Sequence, residues 1–254
     1  MSNEVLVDVT DGIMTVTLNR PEAKNAANRA VAVGVAAAMD ELDSNDSIHV
    51  AIITGAGGTF CAGMDLKAFV SGEMPMVEGR GFAGLTEAPP RKPLIAAVEG
   101  YALAGGLELA ISCDLIVTAD NAKFGIPEVK RGLAAAAGGL MKLPRQIPSR
   151  LAMEMAITGD FITAQRAYEM GLVNQIVPAG TALEAAKVMA ARIVANGPLA
   201  VAISKQVVRE SADWSAQEMW KKQQDLVMPI FGSEDAMEGS IAFAEKRAPN
   251  WKGK

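Results

Sequence analysis

Two glutamates in apolar surroundings, Glu108 and Glu128, are the residues of this sequence best suited to moving protons. Glu108 closes the run Gly100-Tyr101-Ala102-Leu103-Ala104-Gly105-Gly106-Leu107-Glu108, in which small residues lead from a strand into a helix. It lies about one helical turn beyond Gly105 and can face the same pocket. The plain alternative is a first-turn acid at a helix start. Glu128 follows Gly125-Ile126-Pro127 in an otherwise apolar stretch. It is either a solvated loop charge or a desolvated acid with a raised pKa, and this segment does not decide between them. A second glycine turn, Cys61-Ala62-Gly63-Met64-Asp65-Leu66-Lys67, reads as a helix starting near Met64. The first N–H groups of a helix have no partner inside it and attract an anion or a developing oxyanion. Here too there is a plain alternative, a helix start with Asp65 set against the macrodipole. The set is more specific than its parts. Two glycine-lined helix starts beside two glutamates suit a carbonyl whose oxygen becomes negative while carboxylates move protons next to it.

Other chemistries fit less well. Gly55-Ala56-Gly57-Gly58 follows a buried strand, but a dinucleotide fingerprint would need glycine where Phe60 stands. Tyr101 and Tyr168 are followed four positions on by Gly105 and Leu172, not by the lysine of a short-chain dehydrogenase. The only histidine, His49, opens an apolar run and reads as structural or exposed. One histidine and no Cys-x-x-Cys leave no zinc signature. Cys61 and Cys113 sit in apolar surroundings and read as small core residues. A net charge of -5 with scattered basic residues gives no field for nucleic acid. No apolar stretch reaches the roughly 18–20 residues that span a bilayer. The start, Met1-Ser2-Asn3-Glu4, lacks the build of a signal peptide, which makes the cytoplasm the expected compartment.

The elements that must position these residues follow from periodicity. Residues 5–19 alternate about Asp11-Gly12, a hairpin signal. Residues 29–42 read as a helix, and 50–54, 93–98 and 114–118 as buried strands. Strand, glycine turn, helix, strand is the rhythm of crossover-linked parallel sheets. Residues 71–92 have no clear period and are expected to form a mobile loop with a short helix. Helices are expected over 105–112, 149–157, 163–171 and 181–195, with Gly171 as a C-cap. Residues 199–247 read as helical and carry Trp214, Trp220, Met228 and Phe231, large apolar residues for an appendage that packs on the core or on another subunit.

At these residues the chain resembles the crotonase family, the enoyl-CoA hydratase and isomerase superfamily. The likeness begins at Leu18-Asn19-Arg20-Pro21-Glu22-Ala23-Lys24-Asn25-Ala26 and continues through Ile53-Thr54-Gly55, Phe60–Lys67, Gly100–Glu108 and Ala122–Glu128. It ends at Ala242-Phe243-Ala244-Glu245-Lys246-Arg247. The resemblance implies an α/β fold: a ββα spiral core over 1–197 and a C-terminal helical trimerisation segment over 198–254. It implies an acyl-CoA thioester held with its carbonyl oxygen between the backbone N–H groups of Met64 and Gly105. It implies Glu108 and Glu128 as the catalytic pair and hydration of a trans-2-enoyl-CoA in fatty-acid β-oxidation or related acyl-CoA metabolism. CoA contacts are implied for Lys24, Ala26, Ala62, Gly63, Asp65, Leu66 and Lys67, with Lys246 coming from a neighbouring subunit. No cofactor is expected beyond the coenzyme A of the substrate, and a homotrimer or a dimer of trimers is the implied assembly.

The alternatives within the family are isomerisation and thioester hydrolysis, and outside enzymes a non-catalytic acyl-CoA binder. Two stretches, 81–87 and 233–239, are similar to crotonobetainyl-CoA hydratases. Three positions depart from the family pattern: Ala104 where glycine is commoner, Met64 where alanine is frequent, and Ala135 where hydratases usually carry proline.

Overall fold

A computed structural model describes residues 3–254; Met1 and Ser2, part of the chain start read above, lie outside the described residues. Strands β1 (Val5–Thr10) and β2 (Ile13–Leu18) form the expected hairpin. Asp11 and Gly12 both take positive φ, 52° and 75°, as a two-residue type I′ turn requires. Met14, Val16 and Leu18 alternate inward from β2. Helix α1 (Arg29–Ser44) starts where the Asn28 side chain accepts the Val31 N–H, and it buries Val31, Val35, Met39 and Leu42 on one face.

Strand β3 (Val50–Gly55) is followed by α2 (Leu66–Val70). The next segment differs from expectation. It contains no helix; β4 (Met76–Val77) and β5 (Gly81–Phe82) pair as a miniature hairpin, and residues 81–86 are buried. Gly72, Gly79, Gly81 and Gly84 all take positive φ, which ends any helical turn. Strand β6 (Leu94–Val98), β7 (Tyr101–Leu103), α3 (Gly105–Ala110), β8 (Leu115–Ala119) and β9 (Lys123–Gly125) follow. Then come α4 (Gly139–Gln146), which periodicity did not reveal, α5 (Ser149–Thr158), β10 (Ile162–Thr163), α6 (Ala164–Glu169) and β11 (Gln175–Val177). Gly171, at φ 80°, lies just past the end of α6. Helix α7 (Ala182–Val194) precedes α8 (Pro198–Glu210), α9 (Met219–Phe231) and α10 (Glu234–Glu245).

The main sheet runs β1-β2-β3-β6-β8-β11, parallel throughout except for β1. Its central strands are buried on both faces, hence their continuous apolar sequences. Val50, Ile52, Ile95, Ala97 and Val117 face α7, whose small residues Ala182, Ala186 and Ala190 let it lie close. The alternate residues, including Ala51, Ile53, Leu94 and Ala96, face α1 and the rest of the core.

A second, smaller sheet gives the fold its ββα repeat. From β6 the chain steps into β7 and then α3; from β8 it steps into β9 and then a 3₁₀ turn, Pro127–Arg131. From β3 it steps into a single bridge at Cys61, and α2 follows. Cys61 pairs with Ala102, and Ala102 pairs with Phe124, so the three turns of the spiral are in register. Just beyond that register come Met64, Gly105 and Glu128. Among the described residues no single helix is long and apolar enough to cross a membrane. On the C-terminal helices Trp220, Phe231 and Phe243 are exposed.

Candidate active site

The first two turns of the spiral meet at Gly63. A Cβ there would lie 2.9 Å from the Ala104 Cβ and 3.5 Å from the Gly105 nitrogen, and Gly63 takes φ 108°. Only glycine lets the Met64 and Gly105 backbones approach this closely. The Ala27 N–H donates to the Gly63 carbonyl at 2.7 Å, and the Asp65 N–H donates to the Ala27 carbonyl at 2.9 Å. This parallel bridge leaves the Met64 N–H out of the pairing. Among the described residues neither the Met64 nor the Gly105 N–H has a protein acceptor. Gly105 is the first residue of α3, where an unpartnered N–H is inherent.

The expectation of a helix starting near Met64 needs correction. Helix α2 begins at Leu66, because the Asp65 carboxylate accepts the Lys67 and Ala68 N–H groups as its N-cap. Met64 therefore offers an amide from an extended turn. The other oxygen of Asp65 pairs with Arg20 at 2.9 Å, so Asp65 ties the turn to the 20–28 loop. These contacts hold its carboxyl below the usual range, against the opposing pull of burial.

Glu108 is buried on α3. Its Oε1 accepts the N–H groups of Ala137 and Gly139, each at 2.8 Å. Burial pushes its carboxyl up, while those two amides and the nearby Lys142 ammonium pull the other way. Glu128 stands half-buried on the 3₁₀ turn, and its Oε2 is buried with no hydrogen-bond partner. Burial raises its carboxyl too, and the charge of Glu108 raises it further. Glu128 borders a cavity of about 460 Å³ lined by Ile126, Ala135, Leu140, Met153, Ala156 and Ile157.

The remaining sequence-derived residues fall in two places. Lys24 lies over the Tyr101 ring at 5.4 Å, and its carbonyl accepts the Ala62 N–H at 3.0 Å. Lys24, Ala26, Ala62 and Gly63 thus belong to one neighbourhood, with Leu66 and Lys67 exposed on α2 beside it. Lys246 caps α10 and is exposed; among the described residues no side-chain hydrogen bond or ion pair links it to this cluster. Sequence reasoning passed over Asn25, Phe82 and Lys142. Asn25 is fully buried, and its amide donates to the Ala56 and Thr59 carbonyls, pinning the Lys24 loop. Phe82 stands behind Gly105, where a Cβ would meet its ring at 2.4 Å. No local pattern marks these contacts, because each partner is distant in sequence. Among the described residues no three His, Cys, Asp or Glu side chains gather as metal ligands would.

The sequence from residue 8 to residue 254 matches the family model described as Enoyl-CoA hydratase/isomerase. The chain belongs to that family and is an enzyme of the crotonase fold. It is 39% identical over 262 residues to the Carnitinyl-CoA dehydratase of Proteus mirabilis, covering 100% of both chains. It is 42% identical over 262 residues to Enoyl-CoA hydratase EchA19 of Mycobacterium tuberculosis, covering 99% of this chain and 97% of that one. Among solved structures, an enoyl-CoA hydratase from Mycobacterium tuberculosis H37Rv superposes with a TM-score of 0.98 at 58% identity over 100% of both chains.

Proposed function

We propose that this protein is an enoyl-CoA hydratase that adds water across the double bond of a trans-2-enoyl-CoA. The observation that carries the reading is the pair of glutamates whose carboxyls burial raises, Glu108 one helical turn from the unpartnered Gly105 N–H and Glu128 with an unpartnered buried oxygen. The Met64 and Gly105 N–H groups donate to the thioester carbonyl oxygen and stabilise it as charge develops during addition at C3. Glu108, with two N–H donors on one oxygen, is the ionised base that takes a proton from the attacking water. Glu128, with an unpartnered buried oxygen, carries the proton delivered to C2. Water thus supplies OH to C3, and the pair exchanges its proton before the next turnover. The kcat/KM profile is expected to be bell-shaped. Its acid limb reports Glu108 and its alkaline limb Glu128, both displaced upward from ordinary carboxylates.

Coenzyme A enters as part of the substrate, and no other cofactor is required. Lys24, Ala26, Ala62, Gly63, Asp65, Leu66 and Lys67 form the proposed CoA wall, with Lys246 supplied from a neighbouring subunit. The exposed aromatic residues of α9 and α10 support burial against another subunit, and the assembly proposed is a homotrimer or a dimer of trimers. A cytoplasmic role in β-oxidation or related acyl-CoA metabolism is part of this proposal.

The likeness to carnitinyl-CoA dehydratases raises crotonobetainyl-CoA as a second substrate. Against it, the cavity beside Glu128 has no aromatic wall and no charge other than Glu128, so it fits an apolar chain better than a quaternary ammonium. A panel of enoyl-CoA esters tests this. Medium-chain esters should outpace crotonobetainyl-CoA in kcat/KM, and the reverse order would sink the preference. Ala156→Phe, which fills the cavity, should cost medium-chain esters about 10- to 100-fold in kcat/KM and leave crotonyl-CoA within a few-fold.

A further inference from the structure

Lys142 is a half-buried ammonium with no carboxylate within ion-pair distance among the described residues. Its Nζ donates instead to two neutral oxygens, the Thr86 carbonyl and the Ser112 Oγ, both at 2.6 Å. Taking a charge out of water without a counter-ion is costly, so a purely structural role would be served more cheaply by an apolar residue. The location gives the reason. Ser112 Oγ donates in turn to the Glu108 carbonyl at 2.7 Å. On the other side, α4, the helix that carries Lys142, begins at Gly139, whose N–H holds the Glu108 carboxylate. The path from carboxylate to Gly139, along one turn of α4 to Lys142, through Ser112 and back to Glu108 is a closed ring.

The third arm of the clamp reaches Thr86, which ends the buried 81–86 segment. That segment places Phe82 behind Gly105. The stem of Lys142 also passes over Gly138, where a Cβ would approach its Cε to 3.1 Å. One side chain thus joins α3, the first turn of α4 and the support of the Gly105 N–H.

We propose that Lys142 is a positioning residue for hydration, clamping α3 to α4 so that the Glu108 carboxylate is held in place as the base. This rests on the hydratase reading above. The charged groups that act on this corner are few. Glu108 is influenced by Lys142, and Glu108 in turn influences Glu128. Lys142 is influenced by Arg209 of α8, by Cys113, by Glu108 and by Glu87. Removing the ammonium leaves Glu108 without a nearby positive charge, so its ionisation becomes harder and its midpoint moves to higher pH.

The experiment uses full-length Lys142→Met and Ser112→Ala. In Lys142→Met, kcat with an enoyl-CoA should fall about 10- to 100-fold, with KM within about threefold, as expected when a group acts on the reacting geometry rather than on binding. The acid limb of kcat/KM should move to higher pH. Ser112→Ala cuts the ring at a small hydroxyl, should fold even where Lys142→Met does not, and should lower kcat in the same direction by a smaller factor. A carbon-13 NMR titration of labelled glutamate follows Glu108 directly, without turnover. If the wild-type protein hydrates no enoyl-CoA, the function assigned above fails, and the titration alone decides on Lys142. A Glu108 midpoint that moves up in either variant supports the clamp. Wild-type kcat, an unmoved acid limb and an unmoved Glu108 midpoint in both variants overturn it.

Discussion

Glu128→Gln should lower kcat for crotonyl-CoA hydration by about 10²- to 10⁴-fold, the range for loss of a positioned general acid. The same variant should be more stable than the wild type at neutral pH. The two outcomes share one cause. The Oε2 of Glu128 is buried without a partner, and the carboxyl is raised by burial and by the charge of Glu108. A group whose folded-state pKa lies above its unfolded value adds stability that is full below the unfolded value. That contribution is lost as pH rises through the folded one. Glutamine mimics the neutral acid at every pH and escapes the loss. Glu128 is only half-buried, so the gain is modest, roughly 1 kcal/mol, or about 2–4 °C in Tm for a chain of this size. The difference should vanish below the ordinary carboxylate value of 4.5. Calorimetry of both proteins at neutral and acid pH checks this. Equal activity in the variant, or a lower Tm at neutral pH, would remove Glu128 from the role of acid. Residual activity should also lack the alkaline limb, since the group that must stay protonated is gone.

Gly63→Ala should cost about 10²- to 10³-fold in kcat/KM, comparable to removing a donor to an oxyanion. The new methyl would sit 2.9 Å from the Ala104 Cβ and 3.1 Å from the Leu103 carbonyl, on a residue at φ 108°. Backbone strain of about 1–3 kcal/mol must be relieved by moving either the Met64 or the Gly105 turn. Either movement spreads the two N–H groups. The glutamates are left in place, so product formed by the variant should still be the hydrated ester. A variant with wild-type kcat/KM would mean that the two amides do not share a thioester oxygen. The neighbouring Ala104 already takes φ 52°, in a turn where the family more often has glycine, so the site carries some backbone strain as it stands.

Much of the scaffold was legible because it repeats a simple pattern. The hairpin at Asp11-Gly12, the buried strands β3, β6 and β8, and helices α1 and α7 each follow from local periodicity and turn residues. The 71–92 segment and α4 did not. In the first, four glycines at positive φ and buried side chains replace any period. In the second, Pro144 lies within the helix and interrupts the expected pattern. The candidate site divides the same way. Glu108, Glu128 and the two glycine turns stand out as unusual residues in apolar runs. Their contacts were hidden: the Ala137 and Gly139 amides on Glu108, Phe82 behind Gly105, and Lys142 on Ser112 all join residues from different elements. Asp65 was legible as an acid at a helix start, but its pairing with Arg20 and the start of α2 at Leu66 rather than Met64 were not.

The claim that organises all of this is that two glutamates and two backbone amides add water to a thioester-activated double bond. Purified protein incubated with a trans-2-enoyl-CoA, followed by mass analysis of the product, tests it most directly. The expected product is a CoA ester heavier by one water, with Glu108→Gln and Glu128→Gln both nearly inactive. A product of unchanged mass, or free coenzyme A, would contradict it.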